Sequence, residues 1–411
     1  MPVNHIHRTL HEVFVSHCQS LARSSGFCQR QSRLSASAWV QGLVFGWLSN
    51  PQASVTRLAS AIAVAGSSVS PQAVQQRFSC AGATLLRGVL DILAGHALQT
   101  GVRQDLPRSQ CQWLQNFPAI WLRDSSLITL PLALYSQWPG SGGHHGPSAA
   151  LKVSVQWEWH SGTLLPLHLT PATQHDQKAA REQEDRAHQQ GHGSIPGEMH
   201  VFDLGYFSLE WLGHLHAQDA YFCCRYKGAT HVQPLHAPDE WASLVLWLEA
   251  IPPHQERVEW NVLLGRHAQL SVRVIAVRVP EAVAVQRRQA CLYYNGRRQR
   301  TVSPERLALC SWNVYVTNAP KTLLTAAQVS VLYRVRWQIE RLFRLWKETL
   351  QIDQWRTQNP QRILCEVYAK LIGALLTQQL TVFCAWHLPN RSLVKCAHII
   401  AGHALALLIH L

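Results

Sequence analysis

Carboxylates are scarce in this chain, 24 Asp and Glu against 37 Lys and Arg in 411 residues, so their positions are informative. Asp124 lies inside the apolar stretch "IWLRDSSLI", where a carboxylate is costly unless it is paired or bound to a metal. Asp203 follows the apolar run "MHVF", and the carboxyl end of a strand is the usual place for function in an α/β sheet. Glu340 is the single acid of "YRVRWQIERLFRLWK", set among Arg334, Arg336, Arg341, Arg344 and Lys347. On a helix turning about 100° per residue, Tyr333, Arg336, Glu340 and Lys347 share one arc. Leu332, Val335, Ile339, Leu342, Phe343, Trp346 and Leu350 form the adjoining apolar face. Such a stripe could grip a phosphate backbone beside a metal site. Each carboxylate also has a plain reading. Asp124 could pair with Arg123, and Asp203 could cap the next helix. Glu340 could form surface ion pairs with Arg336 and Arg344, each worth a few tenths of a kcal/mol.

The elements that must position these residues follow from periodicity. Residues 1–105 carry apolar residues at three- and four-residue spacing, broken by Gly, Ser and Asn, and predict helices. Within them, Ser54–Gly66, "SSV" and Ser70–Phe78 have helix-turn-helix proportions, with Ser70 as cap and Pro71 in the first turn. That second helix would offer Gln72, Gln75, Gln76 and Arg77 to DNA; a helical hairpin packed in a bundle is equally compatible. From about residue 115 the period becomes that of strands: "AIWLRDSSLITLP", then "ALKVSVQWEWH" and "TLLPLHLTPAT" as a hairpin turning at "SGT". A polar helix, "QHDQKAAREQEDRAHQQ", precedes the Asp203 strand and another helix. Strand-strand-strand-helix-strand-helix is the order of a ribonuclease-H-like α/β domain. Further strands are expected at "AYFCCRYK", "ERVEWNVLLG", "LSVRVIAVRV", "QACLYYNG" and "WNVYVTN". The basic patches "QRRQ" and "GRRQR" fall on a hairpin-like segment among them.

Composition narrows the class. The net charge is +13, the pI near 9.5 and the hydrophobic share 47%, which exclude a disordered chain and favour a polyanionic partner. Arginine supplies 30 of the 37 cations. Eleven cysteines without a Cys-x-x-Cys pattern read as reduced, mostly buried thiols of a cytoplasmic protein. The N-terminal "MPVNHIHRTLHEVF" does not have the pattern of a signal peptide, and the apolar C-terminus "AHIIAGHALALLIHL" reads as a packing helix. Scattered histidines, including His144 and His145, lack the second half of a zinc site.

Tyr333, Arg336, Glu340 and Lys347 have the spacing Y-x2-R-x3-E-x6-K. This resembles the signature of a large group of bacterial insertion-sequence transposases in the DDE, ribonuclease-H-like superfamily. "LRDSSLITLP" resembles the group's first catalytic block, "HVFDLGYF" the second, and "YVTNAP" the strand before the signature helix. "GFCQRQSRLSASAWVQGLVFGWL" and "SPQAVQQRF" resemble its leading region. Asp124 is followed by Ser-Ser where relatives often show Gly-Thr or Ser-Thr. Some relatives stack a flipped base on a tryptophan of the insertion. Trp312 lies near that place, although counting back from the signature gives Asn313.

The resemblance implies a helical DNA-binding domain over 1–110 and a ribonuclease-H-like catalytic domain over 111–224 and 316–360. A β-rich insertion would occupy 225–315 and a helical region 361–411. It also implies Asp124, Asp203 and Glu340 as catalytic residues and ligands of two Mg²⁺ ions, with Mn²⁺ as a substitute. Tyr333, Arg336, Lys347, Trp312, Gln76 and Arg77 would contact DNA. The expected activity is cleavage of double-stranded DNA at terminal inverted repeats, then joining of the 3′ ends to target DNA by a homodimer in the bacterial cytoplasm, associated with the nucleoid. A catalytically inactive DNA-binding regulator and another ribonuclease-H-like nuclease are the alternatives.

Overall fold

The computed structural model describes residues 3–30, 32–99, 112–142, 146–189, 195–235, 241–297, 299–388 and 390–411. The expected boundary at 110–111 and the pair His144-His145 lie outside them. In chain order the helices and strands begin with α1 (Val3–His11), α2 (Cys18–Ser24), α3 (Ala36–Ser49), α4 (Val55–Val64), α5 (Pro71–Gln76) and α6 (Cys80–Gln99). There follow β1 (Ile120–Leu130), β2 (Ala149–Glu158), β3 (His168–Pro171), α7 (Asp176–Gln189), β4 (Met199–Phe202), α8 (Leu209–Ala217) and β5 (Tyr221–Arg225). Next come β6 (His231–Pro234), β7 (Ala242–Ser243), α9 (Leu244–Glu249), β8 (Arg257–Leu264), β9 (Leu270–Arg278), α10 (Glu281–Gly296), α11 (Pro304–Ala308) and β10 (Trp312–Thr317). The chain ends with α12 (Ala326–Val335), α13 (Trp337–Glu348), α14 (Pro360–Ala385), α15 (Leu393–Gly402) and α16 (Ala404–Ile409).

Two compact units divide the chain. One comprises Met1–Gln110, Ser125–Gln174 and Ile339–Leu411, the other Cys111–Asp124 and His175–Gln338. The first is helix-rich. Ser70 caps α5 as the sequence predicts, and Ser35 and Ser54 do the same for α3 and α4: the three accept from Ala73, Ala38 and Arg57, each satisfying an otherwise orphan N–H. Gly42 lets α3 approach α4, since a Cβ there would lie 2.7 Å from the Ile62 Cα. Of the described helices, α14 alone is long and apolar enough to cross a membrane; most of its apolar window is buried inside the protein. There it carries a buried pair, Lys370 to Glu366 at 2.7 Å. In this unit β3 pairs with β2 antiparallel, in the order β3-β2-β1. The chain reverses between β2 and β3 at the expected "SGT": Trp157 bridges Leu164 antiparallel and Glu158 N donates to Thr163 O at 2.8 Å, with β3 itself beginning at His168. The C-terminal stretch forms two short helices, α15 and α16. They bury Ala397, Ala404 and Leu408 but leave Ile399, Leu405 and Ile409 exposed.

The second unit has the strand order β1-β4-β5-β10-β9-β8-β6-β7. β1, β4 and β5 are parallel, and β10, β9 and β8 continue the sheet antiparallel. The strands expected beyond residue 225 therefore extend one sheet from β5. Its core includes Phe202, Tyr206, Trp211, Phe222, Val262, Val274 and Val316. One strand expectation is corrected. "QACLYYNG" is the second half of α10, which begins after Pro280. The run "EAVAVQRRQACL" is rich in good helix formers and lacks strand alternation, so it propagates as a helix.

Candidate active site

β1 and β4 pair in parallel with Arg123 opposite Phe202. Asp124 and Asp203 are the next residue on each chain, so two aspartates leave neighbouring parallel strands side by side. Successive side chains on a strand point to opposite faces. Arg123 accordingly turns into the core, where Nη2 donates to Glu184 at 2.5 Å on α7 and the guanidinium lies 4.9 Å from the Trp211 ring. Asp124 faces the other way. Its Oδ2 accepts from Arg336 Nη1 at 3.0 Å. The partner of Asp124 is thus Arg336, and Arg123 serves Glu184.

Asp203 does cap the turn that follows it: its Oδ1 accepts from the Gly205 N–H at 2.9 Å. Capping and a role in chemistry are compatible, since one oxygen makes the cap. Burial raises the Asp203 pKa. The Gly205 N–H and the Arg336 charge pull it back down, and the Asp176 carboxylate pushes it further up. A Cβ at Gly205 would stand 2.7 Å from Asp176 Oδ2 and 3.1 Å from Asp203 Oδ1. The glycine therefore keeps open a cradle between two carboxylates. Tyr206 is buried beside it, with no hydrogen-bond partner for its hydroxyl among the described residues. Burial first, then the charges of Asp176 and Asp124, raise its pKa well above the ordinary value. Asp176, in the first turn of α7, was not foreseen. In sequence it is indistinguishable from the acids that favour any helix N-terminus.

The signature stretch is divided between two helices. α12 ends at Val335, Arg336 closes it with a tightened turn to the Tyr333 carbonyl, and α13 starts at Trp337. In the second unit the buried Tyr333 ring lies between two guanidinium groups, Arg336 at 5.5 Å and Arg225 at 5.9 Å. Burial raises the Tyr333 pKa, against the lowering effect of these two cations. In the first unit Glu340 stands in the opening turn of α13. Lys347 Nζ donates to the Leu127 carbonyl at 2.9 Å, fixing α13 to the outer half of β1. Arg344 lies 4.0 Å from Glu348.

Other expected contacts sit differently from their sequence reading. Trp312 is 4% exposed at the start of β10, with the Arg278 guanidinium 4.1 Å from its ring. It forms part of the wall of a cavity of about 600 Å³ and is not an open stacking face. Asn318 is a tether: its side chain accepts from Phe222 N at 2.8 Å and donates to Ala220 O at 2.9 Å. Gln76 is exposed at the end of α5. Arg77 is committed to Phe27 O at 3.0 Å and Ser32 Oγ at 3.3 Å, which ties α5 down. No three His, Cys, Asp or Glu groups among the described residues stand together as a ready metal cage. What the site offers is two aspartates, Asp124 inside β1 and Asp203 just past β4, and water or phosphate can complete a hard cation's shell around such oxygen donors. At Gly205 the Asp176 and Asp203 carboxylates come close enough that a Cβ would meet both.

Comparison with known proteins agrees in kind. A family model described as "Transposase DDE domain" matches residues 116–376. The transposase for insertion sequence element IS231B of Bacillus thuringiensis subsp. berliner is 28% identical over 379 residues, covering 88% of this chain and 76% of that protein. The transposase for IS231F of Bacillus thuringiensis subsp. israelensis is 29% identical over 375 residues, covering 87% and 76%. The transposase for IS1151 of Clostridium perfringens is 24% identical over 394 residues, covering 91% and 80%. Among solved structures, the piggyBac transposase in a synaptic complex with hairpin DNA shares the fold. Its TM-score is 0.53 at 8% identity, over 98% of this chain and 80% of that one. With the family match covering well over half of its length, this chain belongs to the DDE transposase family and is a DNA transposase of the insertion-sequence kind.

Proposed function

We propose that Asp124, Asp203 and Glu340 are the catalytic carboxylates of this transposase and hold two divalent cations, Mg²⁺ by preference and Mn²⁺ as a substitute. The observation that carries the reading is the emergence of Asp124 and Asp203 from adjacent parallel strands. DDE transposases generally use divalent metal ions, and bound there the pair supplies Lewis-acid stabilisation to the attacking and leaving oxygens. The chain's own residues do the rest. Asp124 and Asp203 orient a water for in-line attack on the phosphodiester at the element end. The new P–O bond forms as the bond to the 3′ oxygen breaks, and that oxygen leaves with a proton as a 3′-hydroxyl. The hydroxyl then attacks a target phosphodiester in the same way. Arg336, which neutralises Asp124 in the absence of DNA, turns to the backbone phosphate when DNA arrives. Tyr333 and Lys347 hold neighbouring phosphates.

The strand order within each unit, with β1, β4 and β5 parallel and β2–β3 antiparallel, supports a ribonuclease-H-like catalytic domain with a β-rich insertion. The helices before residue 110 are proposed to bind the terminal inverted repeats, Gln76 among their contacts, in a homodimer that pairs two ends near the nucleoid. The deciding experiment is Mg²⁺-dependent nicking of an end-containing duplex by purified protein. Asp124→Ala and Glu340→Ala should abolish nicking while end binding persists. Full nicking by either variant removes that residue from the set, and binding without nicking by the wild type marks a regulator.

A further inference from the structure

The Tyr206 hydroxyl is a proton donor of the second unit that is buried without a hydrogen-bond partner among the described residues. The residue is 1% exposed, and its ring belongs to the core, 6.4 Å from the Phe202 ring and clustered with Phe207, Trp211 and Ala180. A phenylalanine would fill that place as well, and an unmet buried hydroxyl destabilises the fold. The surroundings are acidic. Two bonds fix the turn from Asp203 to Tyr206: Gly205 N donates to Asp203 Oδ1 at 2.9 Å and Tyr206 N to Asp203 O at 3.3 Å. The first turn of α7 is fastened to the same segment, because Gln177 Nε2 donates to Phe207 O at 2.8 Å. These bonds hold the Asp176 carboxylate against Gly205 beside Asp203, although the two like charges repel. The charges of Asp176, Asp124 and Asp203 all reach the Tyr206 hydroxyl, that of Asp176 most strongly.

We infer that Tyr206 and Asp176 are positioning residues of the cation site. In the loaded site the Tyr206 hydroxyl donates to Asp176, and the carboxylate so held adds its negative charge beside Asp203. The fold maintains two unfavourable features at one place, crowded carboxylates and an unpaired donor, and a single event relieves both. Carboxylate oxygens that repel one another in the empty site are the donors a hard divalent cation requires. Carboxylates around a bound metal are in turn held by hydrogen bonds from an outer shell, and a buried phenol is suited to give one. Burial and the three carboxylate charges, against the opposing charge of Arg123, keep the proton on the phenol. Neither residue needs to touch DNA or the reacting phosphate.

The inference rests on the carboxylate reading of the site, and its test separates the two. Mn²⁺ binding to the intact chain is titrated by electron paramagnetic resonance, with a precleaved element-end duplex so that no bond is broken. The component lost in Asp203→Ala reports the proposed site. In Tyr206→Phe the affinity of that component should fall by on the order of tenfold to a hundredfold, while the urea midpoint equals the wild type's or exceeds it. Asp176→Asn should weaken the same component, and the double variant should lose little more than Asp176→Asn alone. A hydroxyl with a purely structural role would give the reverse, a lower midpoint at unchanged Mn²⁺ affinity, and that result overturns the inference. Additive losses in the double variant overturn it too, since the hydroxyl would then act apart from Asp176. Mn²⁺ binding that persists undiminished in Asp203→Ala sinks the carboxylate reading, and the inference with it.

Discussion

Consecutive residues of one strand, Arg123 and Asp124, each enter an arginine–carboxylate pair, and the two pairs differ in every respect that matters. Arg123 and Glu184 are 2.5 Å apart with side chains 0% and 4% exposed. Asp124 and Arg336 are 3.0 Å apart with side chains 16% and 10% exposed. The first pair also has the Ala180 carbonyl at 3.4 Å and the Trp211 ring against the guanidinium, and it fastens α7 to β1. The second stands beside Asp203 and Asp176, whose charges reach the same buried tyrosine. Breaking a fully buried pair strands a charge in low dielectric. A pair at the rim can exchange one partner for a phosphate at little cost. The pleat of β1 thus separates a core ion pair from one proposed to serve catalysis by a single residue.

Removing one arginine at a time tests that separation. Arg123→Met should cost about 3–5 kcal/mol of folding stability, the penalty for removing one partner of a buried ion pair. In urea denaturation the double variant Arg123→Met/Glu184→Leu should recover much of it. A single variant as stable as wild type would show that the pair is solvated. Gly205→Ala should leave stability nearly intact, yet cut nicking by on the order of a hundredfold. Its Cβ would force Asp176 and Asp203 apart, and unchanged nicking would mean that the cradle is not used. Arg336→Gln should cost less stability in urea denaturation than Arg123→Met, because its pair is the less buried of the two. It should weaken DNA binding and reduce the salt slope by about one; a loss of stability as large as that of Arg123→Met would erase the contrast.

A last prediction concerns pH. His200 on β4 is fully buried, and burial first, then the Arg123 charge, push its pKa down from 6.5 to about 3, against the raising effect of Glu184. A histidine whose folded pKa lies below its unfolded value contributes stability that is present above the unfolded pKa. That stability is lost as pH falls from 6.5 towards 3. Between pH 6.5 and about 5, above most carboxylate pKa values, the wild-type urea midpoint should therefore decline. A His200→Gln variant should decline less, and parallel curves would show that His200 is hydrated or charged in the fold.

The elements that carry the proposed site were legible because their signals are local. Asp124 and Asp203 stood out as charges in or at the end of apolar strands, and Ser70, Pro71 and the serine caps announced their helices. The errors came where local pattern was ambiguous. "CLYYNG" has strand-favouring side chains, yet it continues a helix already begun at Glu281. Arg77 looked available for DNA because its partners, Phe27 and Ser32, lie 50 and 45 residues upstream.

The sequence by itself determined the type and order of most elements, with Asp124 inside one strand and Asp203 at the end of another. It also carries the spacing Y-x2-R-x3-E-x6-K that resembles the family's signature. These depend on periodicity, capping and spacing, all of which act over a few residues. Tertiary structure alone decided that Arg336 pairs with Asp124 across 212 residues of chain. It also decided that Asp176 joins Asp203 over Gly205, with the buried Tyr206 hydroxyl within reach of both charges, and that Trp312 is covered. Strand register and burial set those outcomes, and both emerge only when distant segments meet to exclude water.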